Sequence, residues 1–277
     1  MSRSIFNRSF YKWVVWGFGA LFMFYKFAIE VSPSVMTTHL MAAFEIDGAY
    51  LGNLAASYFY GYLAMQLPAG ILVDRFGPRR VTTIAILFCS VGGLVFALSP
   101  QLWVASMGRL LMGLGAAFAA INCLKLTANW FPLKRFAFMA GLMMSIAMLG
   151  AVGGQAPLFK MIQALGWREA MLIISYSGFG LGLLFFILIR NRAPKHRKVD
   201  IASEKMGIWN NCLAIFKSKQ AWLLSIYSGL AFAPVTFFGG LWGVPFIMQK
   251  YALSQTLSAQ AISMIFIGFG VGAPVAG

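Results

Sequence analysis

The chain has 277 residues, of which 60% are hydrophobic and only 10% charged, with a mean hydropathy of +0.77. No water-soluble core of this length needs so much apolar surface, so a soluble domain is excluded and a membrane-embedded chain implied. The net charge of +15 raises nucleic acid as a partner, but the basic residues lie in short clusters between apolar runs and form no soluble basic face, which excludes it.

A helix that crosses a bilayer needs about 20 predominantly apolar residues. Eight runs approach or exceed that length: 13–37, 50–72, 81–99, 102–124, 136–159, 169–190, 221–248 and 258–277. None carries the short alternating strands of a β-barrel, so the predicted fold class is an all-α, multi-pass membrane protein embedded in a lipid bilayer. The first run is too long for a signal-peptide core and lacks a small-residue cleavage site, which makes it a retained helix. Arg3, Arg8 and Lys12 precede it. Together with the alternate connections that follow, they place 16 of the 22 Lys and Arg residues on one face. The opposite connections offer Lys160, Arg168 and Lys250, with Glu45 and Asp47 beside them. By the positive-inside rule the N-terminus and the connection 191–220 are cytoplasmic, and the connection 38–49 is external.

Charges within spans cost about 2.5–3.5 kcal/mol each at a helix centre, so the few present are the natural functional candidates. Lys26 and Glu30 stand one turn apart on one face of the first run. They read either as a self-neutralising structural pair or as a substrate and proton site facing a central cavity. Pro33, between Ser32 and Ser34, loosens the outer end of that helix and frees backbone carbonyls. Tyr58 and Tyr62 share a face of the second run, and Gln66 continues it. After it comes Gly70-Ile71-Leu72-Val73-Asp74-Arg75-Phe76-Gly77-Pro78-Arg79-Arg80, too densely charged for hydrocarbon and therefore a turn at a membrane face. An acid beside Arg at one helix end, then glycine and paired Arg at the next helix start, suits a switchable ion-pair latch. Its gating residues are Gly70, Asp74, Arg75, Gly77, Arg79 and Arg80.

Arg109 falls in the outer third of the fourth run. Asn122 and Lys125 lie one turn apart toward its inner end, where Lys125 either faces the cavity or snorkels to the surface. With Lys26, Arg109 and Lys125 facing a cavity and Glu30 alone opposing them, the cavity is net positive. That favours a substrate carrying carboxylate or phosphate. The connection 191–220 is the one sizeable polar stretch, basic from Ala193 to Lys198 and carrying Trp209 on a surface helix. In the seventh run Gly239-Gly240-Leu241-Trp242-Gly243-Val244-Pro245 interrupts the helix near its outer end, as either a gating element or a plain kink, and Trp242 joins the candidate cavity residues.

Cys89, Cys123 and Cys212 share no ligand spacing, so neither a disulfide nor a metal cluster is expected. The glycines from Gly178 to Gly182 imitate a dinucleotide loop but lie inside an apolar helix, where glycine serves helix packing. No metalloprotease, P-loop or nucleophile-elbow motif is present, and His39, in an outer loop, is remote from His196 in the basic linker. No enzyme activity and no cofactor are expected.

The segment Gly70 to Arg80 resembles the glycine–aspartate–arginine signature between the second and third helices of the major facilitator superfamily, apart from Pro78 before the arginine pair. Arg109-Leu110-Leu111-Met112-Gly113-Leu114-Gly115 resembles that family's fourth-helix pattern, and Trp130-Phe131-Pro132 is similar to the turn that ends this helix. Gly166-Trp167-Arg168 looks like the turn that opens the sixth. The resemblance implies two six-helix bundles, here a bundle over 1–190, a cytoplasmic linker over 191–220 and the first two helices of a second bundle over 221–277. Four helices of the usual twelve are then absent, through a fragment or a truncated product. It further implies alternating-access secondary transport of a small molecule, with protons as the coupling ion, in a bacterial inner membrane. Arg109 would sit against the first helix with Glu30 as its partner, and Asp74 and Arg75 would hold the inner gate. Organic-anion and sugar-phosphate symporters are the closest pattern. Dipeptide or amino-acid transporters, which share an acid shortly before a first-helix proline, are the alternative, and a non-transporting membrane sensor or an inactive fragment are others.

Overall fold

The computed structural model describes residues 8–189 and 216–276, and every regular element among them is helical. In chain order these are α1 (Arg8–Val31), a 3-10 turn (Ser32–Val35), α2 (Thr37–Phe44), α3 (Gly48–Phe76), α4 (Pro78–Ala97), α5 (Leu102–Ala116) and α6 (Phe118–Trp130). A second 3-10 turn (Leu133–Arg135) follows, then α7 (Phe136–Gly153), α8 (Ala156–Leu165), α9 (Trp167–Leu188), α10 (Lys219–Pro234), a π-helical segment (Val235–Trp242), α11 (Gly243–Tyr251) and α12 (Gln255–Ala276). The expected linker falls largely outside the described residues, as do Trp209, His196 and Cys212.

Seven helical stretches among the described residues are long and apolar enough to cross a membrane. They account for every predicted run except 50–72. That run is a helix too: α3 has 29 residues, about 43 Å at 1.5 Å per residue. It falls short on apolarity, because Asn53, Ser57, Tyr58, Tyr60, Tyr62 and Gln66 are spread along it. The predicted external loop 38–49 is likewise more ordered than expected, since α2 occupies most of it and includes His39. Asp47 then caps α3, its carboxylate accepting from the Ala49 and Tyr50 amides.

Turn chemistry sets the hairpins. Gly77 has φ 81°, a backbone that L side chains rarely adopt, and Pro78 opens α4 with its φ already helical. Gly166 repeats the device at φ 86° before α9. Next to it, Arg168 donates from Nη1 to the carbonyls of Ala97 and Ser99 at 2.7 and 2.8 Å, so that the start of α9 caps the end of α4.

Glycine governs the packing. A Cβ at Gly113 would collide with the Tyr58 carbonyl, and one at Gly150 with that of Phe24. Only bare backbone lets α5 lie against α3, and α7 against α1, this closely. α12 packs along α7, where Ser145 Oγ donates to the Gly270 carbonyl at 2.5 Å. Two further bonds tie α10–α12 to the earlier helices, and both use carbonyls released by irregular helix. In the π segment the Gly243 amide bonds to Phe238, which leaves the Gly239 carbonyl for Gln155 Nε2 at 3.0 Å. The Val35 carbonyl, at the end of the 3-10 turn, accepts from Gln255 Nε2 at 3.0 Å.

Candidate functional site

Pro33 has no amide proton, so the carbonyl four residues earlier, Ile29, loses its helical donor. Arg109 supplies the replacement. Its Nη1 donates to the Ile29 carbonyl at 2.8 Å and its Nη2 to the Glu30 carbonyl at 3.3 Å. The serines flanking Pro33 satisfy neighbouring carbonyls, Ser32 donating to Ile29 at 3.0 Å and Ser34 to Val31 at 2.7 Å. Arg109 is 1% exposed and is among the largest fully buried side chains. Its guanidinium also lies 4.8 Å from the centre of the Tyr58 ring, a cation–π contact in a dry setting.

The carboxylate of Glu30 is therefore free of Arg109 and turns to two other groups. It pairs with Lys26 along the helix, and the Tyr58 hydroxyl donates to its Oε2 at 3.2 Å. The sequence resemblance implied a carboxylate–guanidinium pair; the structure has the guanidinium on the main chain of the same segment. Lys26 Nζ also lies 3.8 Å from the Phe27 ring centre and 5.1 Å from that of Tyr62, and Tyr62 stacks on Tyr58 at 6.2 Å. Lys26 and Glu30 are both buried. Two cations and one acid thus share one cluster where α1, α3 and α5 meet.

A cavity of about 420 Å³ opens beside this cluster. Glu30 and Arg109 form its charged wall, Gly52, Ala55 and Ala56 its small-residue wall on α3, and Phe237, Gly240 and Trp242 its wall on the π segment. Trp242 stands over the start of α3, where a Cβ added at Gly48 would just touch its ring. Lys26, Tyr58 and Tyr62 do not line it: Lys26 and Tyr58 contact the charged wall, and Tyr62 packs behind those two.

Asn122 is buried within α6, and neither of its amide atoms has a hydrogen-bond partner among the described residues. Buried polar groups of this kind are ordinarily met by water or ligand. Lys125, one turn on, reaches the end of the bundle that carries the Gly77 turn and pairs with Asp74 in the last turn of α3. This long-range pair was not foreseen. Arg79 Nε donates to the Phe186 carbonyl at 2.8 Å and its guanidinium lies 4.3 Å from the Phe186 ring centre, tying α4 to the end of α9. Arg75 lies 5.5 Å from the Phe76 ring centre, and Gly70 has open space beside it. The six candidate latch residues run from the last two turns of α3 through Gly77 to the start of α4, and Lys125 is the cation opposite Asp74. Sequence reasoning also missed Gln155 and Gln255, whose only signal is a glutamine at the border of an apolar run.

A family model described as Major Facilitator Superfamily matches residues 16–277, and the chain belongs to that superfamily. It is similar to the probable sulfoacetate transporter SauU of Cupriavidus necator, 24% identical over 67% of this chain and 43% of that protein. It is similar as well to the lysosomal dipeptide transporter MFSD1 of Danio rerio, 24% identical over 94% of this chain and 58% of that one. Among solved structures, a bacterial homologue of the human lysosomal transporter Spinster, inward-facing and unoccupied, matches with a TM-score of 0.75 at 17% identity, over 96% of this chain and 60% of that one. The chain spans about half the length of these relatives. It is an integral, multi-pass membrane protein.

The Asp74–Lys125 pair is largely open to solvent at its acidic end. Asp74→Asn is expected to leave insertion and expression unchanged and to shift any two-state equilibrium that the pair biases by about fivefold, the upper end for an ion pair of this exposure. Cysteine accessibility near the turn, read with and without the substitution, checks this; an unchanged labelling rate contradicts a latch.

Proposed function

We infer that this chain is part of a secondary transporter that moves a small, polar, anionic metabolite by alternating access, coupled to protons. The observation that carries the reading is the Glu30 carboxylate, buried, set on the cavity wall and held by Lys26 and Tyr58. An acid in that position binds and releases a proton where the cavity changes sides, and the two neighbouring cations leave the cluster net positive when Glu30 is ionised. That excess suits a carboxylate, sulfonate or phosphate, and sulfoacetate, named for one relative, carries the first two. Arg109, bonded to α1 through the carbonyls that Pro33 and the turn release, is the scaffold of the site. Asn122, Tyr62 and Trp242 complete the substrate pathway, and the Gly70–Arg80 turn with Lys125 gates its inner end.

The test is uptake by the full chain in proteoliposomes with sulfoacetate, inorganic phosphate and a dipeptide as separate probes, with and without an imposed pH gradient. Accumulation of an anion, driven by external acid, is the expected result; no uptake of any anion under either condition contradicts it. The dipeptide arm addresses the second reading, which the likeness to MFSD1 along nearly the whole chain supports. In that case Glu30 receives the peptide ammonium, and N-acetylation of the peptide abolishes uptake.

The proposed orientation, in a bacterial inner membrane with the N-terminus cytoplasmic, rests on the charge asymmetry. Gln101→Cys and Lys134→Cys, each in a chain with Cys212 replaced by serine, test it in intact cells with an impermeant maleimide. Labelling at position 101 and protection at 134 is expected; the reverse overturns the topology.

A further inference from the structure

In an unbroken α-helix the Gly243 amide would bond to the Gly239 carbonyl, four residues back. It bonds instead to Phe238, five back, at the end of the π segment Val235–Trp242. Gly239 is buried, and a buried carbonyl left without a donor costs more than the bond itself is worth. Gln155 Nε2 supplies the donor at 3.0 Å. Gln155 and Gly243 thus compete for one acceptor: with the glutamine in place the π register keeps that carbonyl bonded, and without it the α register does so. Gln155 stands at the corner between α7 and α8, yet its side chain makes no cap bond to α8. It is fully buried, and its Oε1 has no partner among the described residues. The segment it holds is soft, because Gly239-Gly240 lies within it and Pro245 withholds an amide just beyond. Its register matters at the cavity, which Phe237, Gly240 and Trp242 wall. One hydrogen-bond step turns the helix on one side of Gly239 against the other by about 100°, the angle per residue.

We propose that Gln155 is a positioning residue for the cavity wall: it holds segment 235–242 in the π register that sets Trp242 over the start of α3. When the corner between α7 and α8 moves away from the segment, the Gly239 carbonyl takes the Gly243 amide and Trp242 turns off α3. The place of this wall in a substrate path rests on the transport reading; the register itself does not. A second clasp, Gln255 Nε2 on the Val35 carbonyl, ties α12 to the 3-10 turn. Loss of Gln155 alone therefore changes the register without parting α12 from that turn.

Trp242 fluorescence in the full chain tests this, quenched by a nitroxide on Gly48→Cys, where an added Cβ would lie 3.5 Å from the Trp242 ring. Cys212 is replaced by serine, while Cys89 and Cys123 are buried. The signal of the same chain with Trp242→Phe is subtracted to remove the other tryptophans. Gln155→Met keeps the side chain's length and removes its donor. It is expected to shift the balance toward the α register about tenfold, the effect of a bond lost with its buried acceptor left bare. Most of the Trp242 quenching is then lost; Gln155→Leu serves if the methionine variant does not fold. Gln155→Glu, read in mild acid where burial keeps its carboxyl protonated and able to donate, is expected to retain the quenching. Quenching in Gln155→Met equal to that of the native side chain would overturn the proposal. So would equal loss in Gln155→Met and Gln155→Glu, since packing rather than the donor would then set the register. No substrate enters the measurement, so its outcome is separate from that of uptake.

Discussion

Lys26→Ala in the full chain is expected to lower stability in detergent by about 3–5 kcal/mol, the cost of leaving a buried carboxylate without its partner. Glu30→Gln strands Lys26 in the same way, though the Phe27 and Tyr62 rings beside Nζ soften the loss. The double substitution Lys26→Ala with Glu30→Gln removes both charges and is expected to recover most of that stability. Uptake is expected to stay lost in the double variant, because no proton-releasing group remains at the cavity wall. Thermal midpoints of the two single variants and the double variant, beside uptake, separate a working pair from a structural one. Recovery of both stability and uptake would make the pair structural and end its assignment as a site.

Arg109→Lys is expected to be nearly as damaging despite keeping the charge. The guanidinium fork spans two adjacent carbonyls, Ile29 and Glu30, while its carbon lies 4.8 Å from the centre of the Tyr58 ring. An ammonium reaches one carbonyl and weakens the contact with the ring. One charged hydrogen bond lost, with a carbonyl left unsatisfied, costs about 1.5–3 kcal/mol. Because those carbonyls hold the turn that carries Glu30, uptake is expected to fall about tenfold or more on the same scale. Pro33→Ala is the informative companion: it restores an amide that competes for the Ile29 carbonyl, and it should weaken the effect of Arg109→Lys. An Arg109→Lys chain with unaltered stability and uptake would contradict the scaffold role.

What the sequence disclosed and what it withheld divides along one physical line. Features that repeat along the helix were legible. The pairing of Lys26 with Glu30 needs only i,i+4 spacing, the turn at Gly77-Pro78 needs only local backbone preference, and the spans need only apolar length. The second span was legible as a helix although its polar residues keep it from being uniformly apolar. Contacts set by how helices cross were not legible. Asp74 meets Lys125, and Gln155 meets Gly239, through packing that glycines such as Gly113 and Gly150 permit by offering no Cβ. The carbonyls that Arg109, Gln155 and Gln255 use were half legible: Pro33 announced a free acceptor at Ile29, but nothing local announced the donor. The π register near Gly239 was foreseen as a break and not as a source of an acceptor.

Whether Glu30 carries a coupled proton is tested most directly by pH-gradient-driven uptake of the full chain against its Glu30→Gln variant in the same proteoliposomes, alongside counterflow exchange with no gradient. Uptake by the native chain is expected to accelerate when the outside is acidic. Glu30→Gln is expected to remove that acceleration while exchange persists in part, since a neutral amide still fits the wall but cannot carry a proton. Gradient-driven uptake by Glu30→Gln at the native rate would contradict a proton-carrying Glu30.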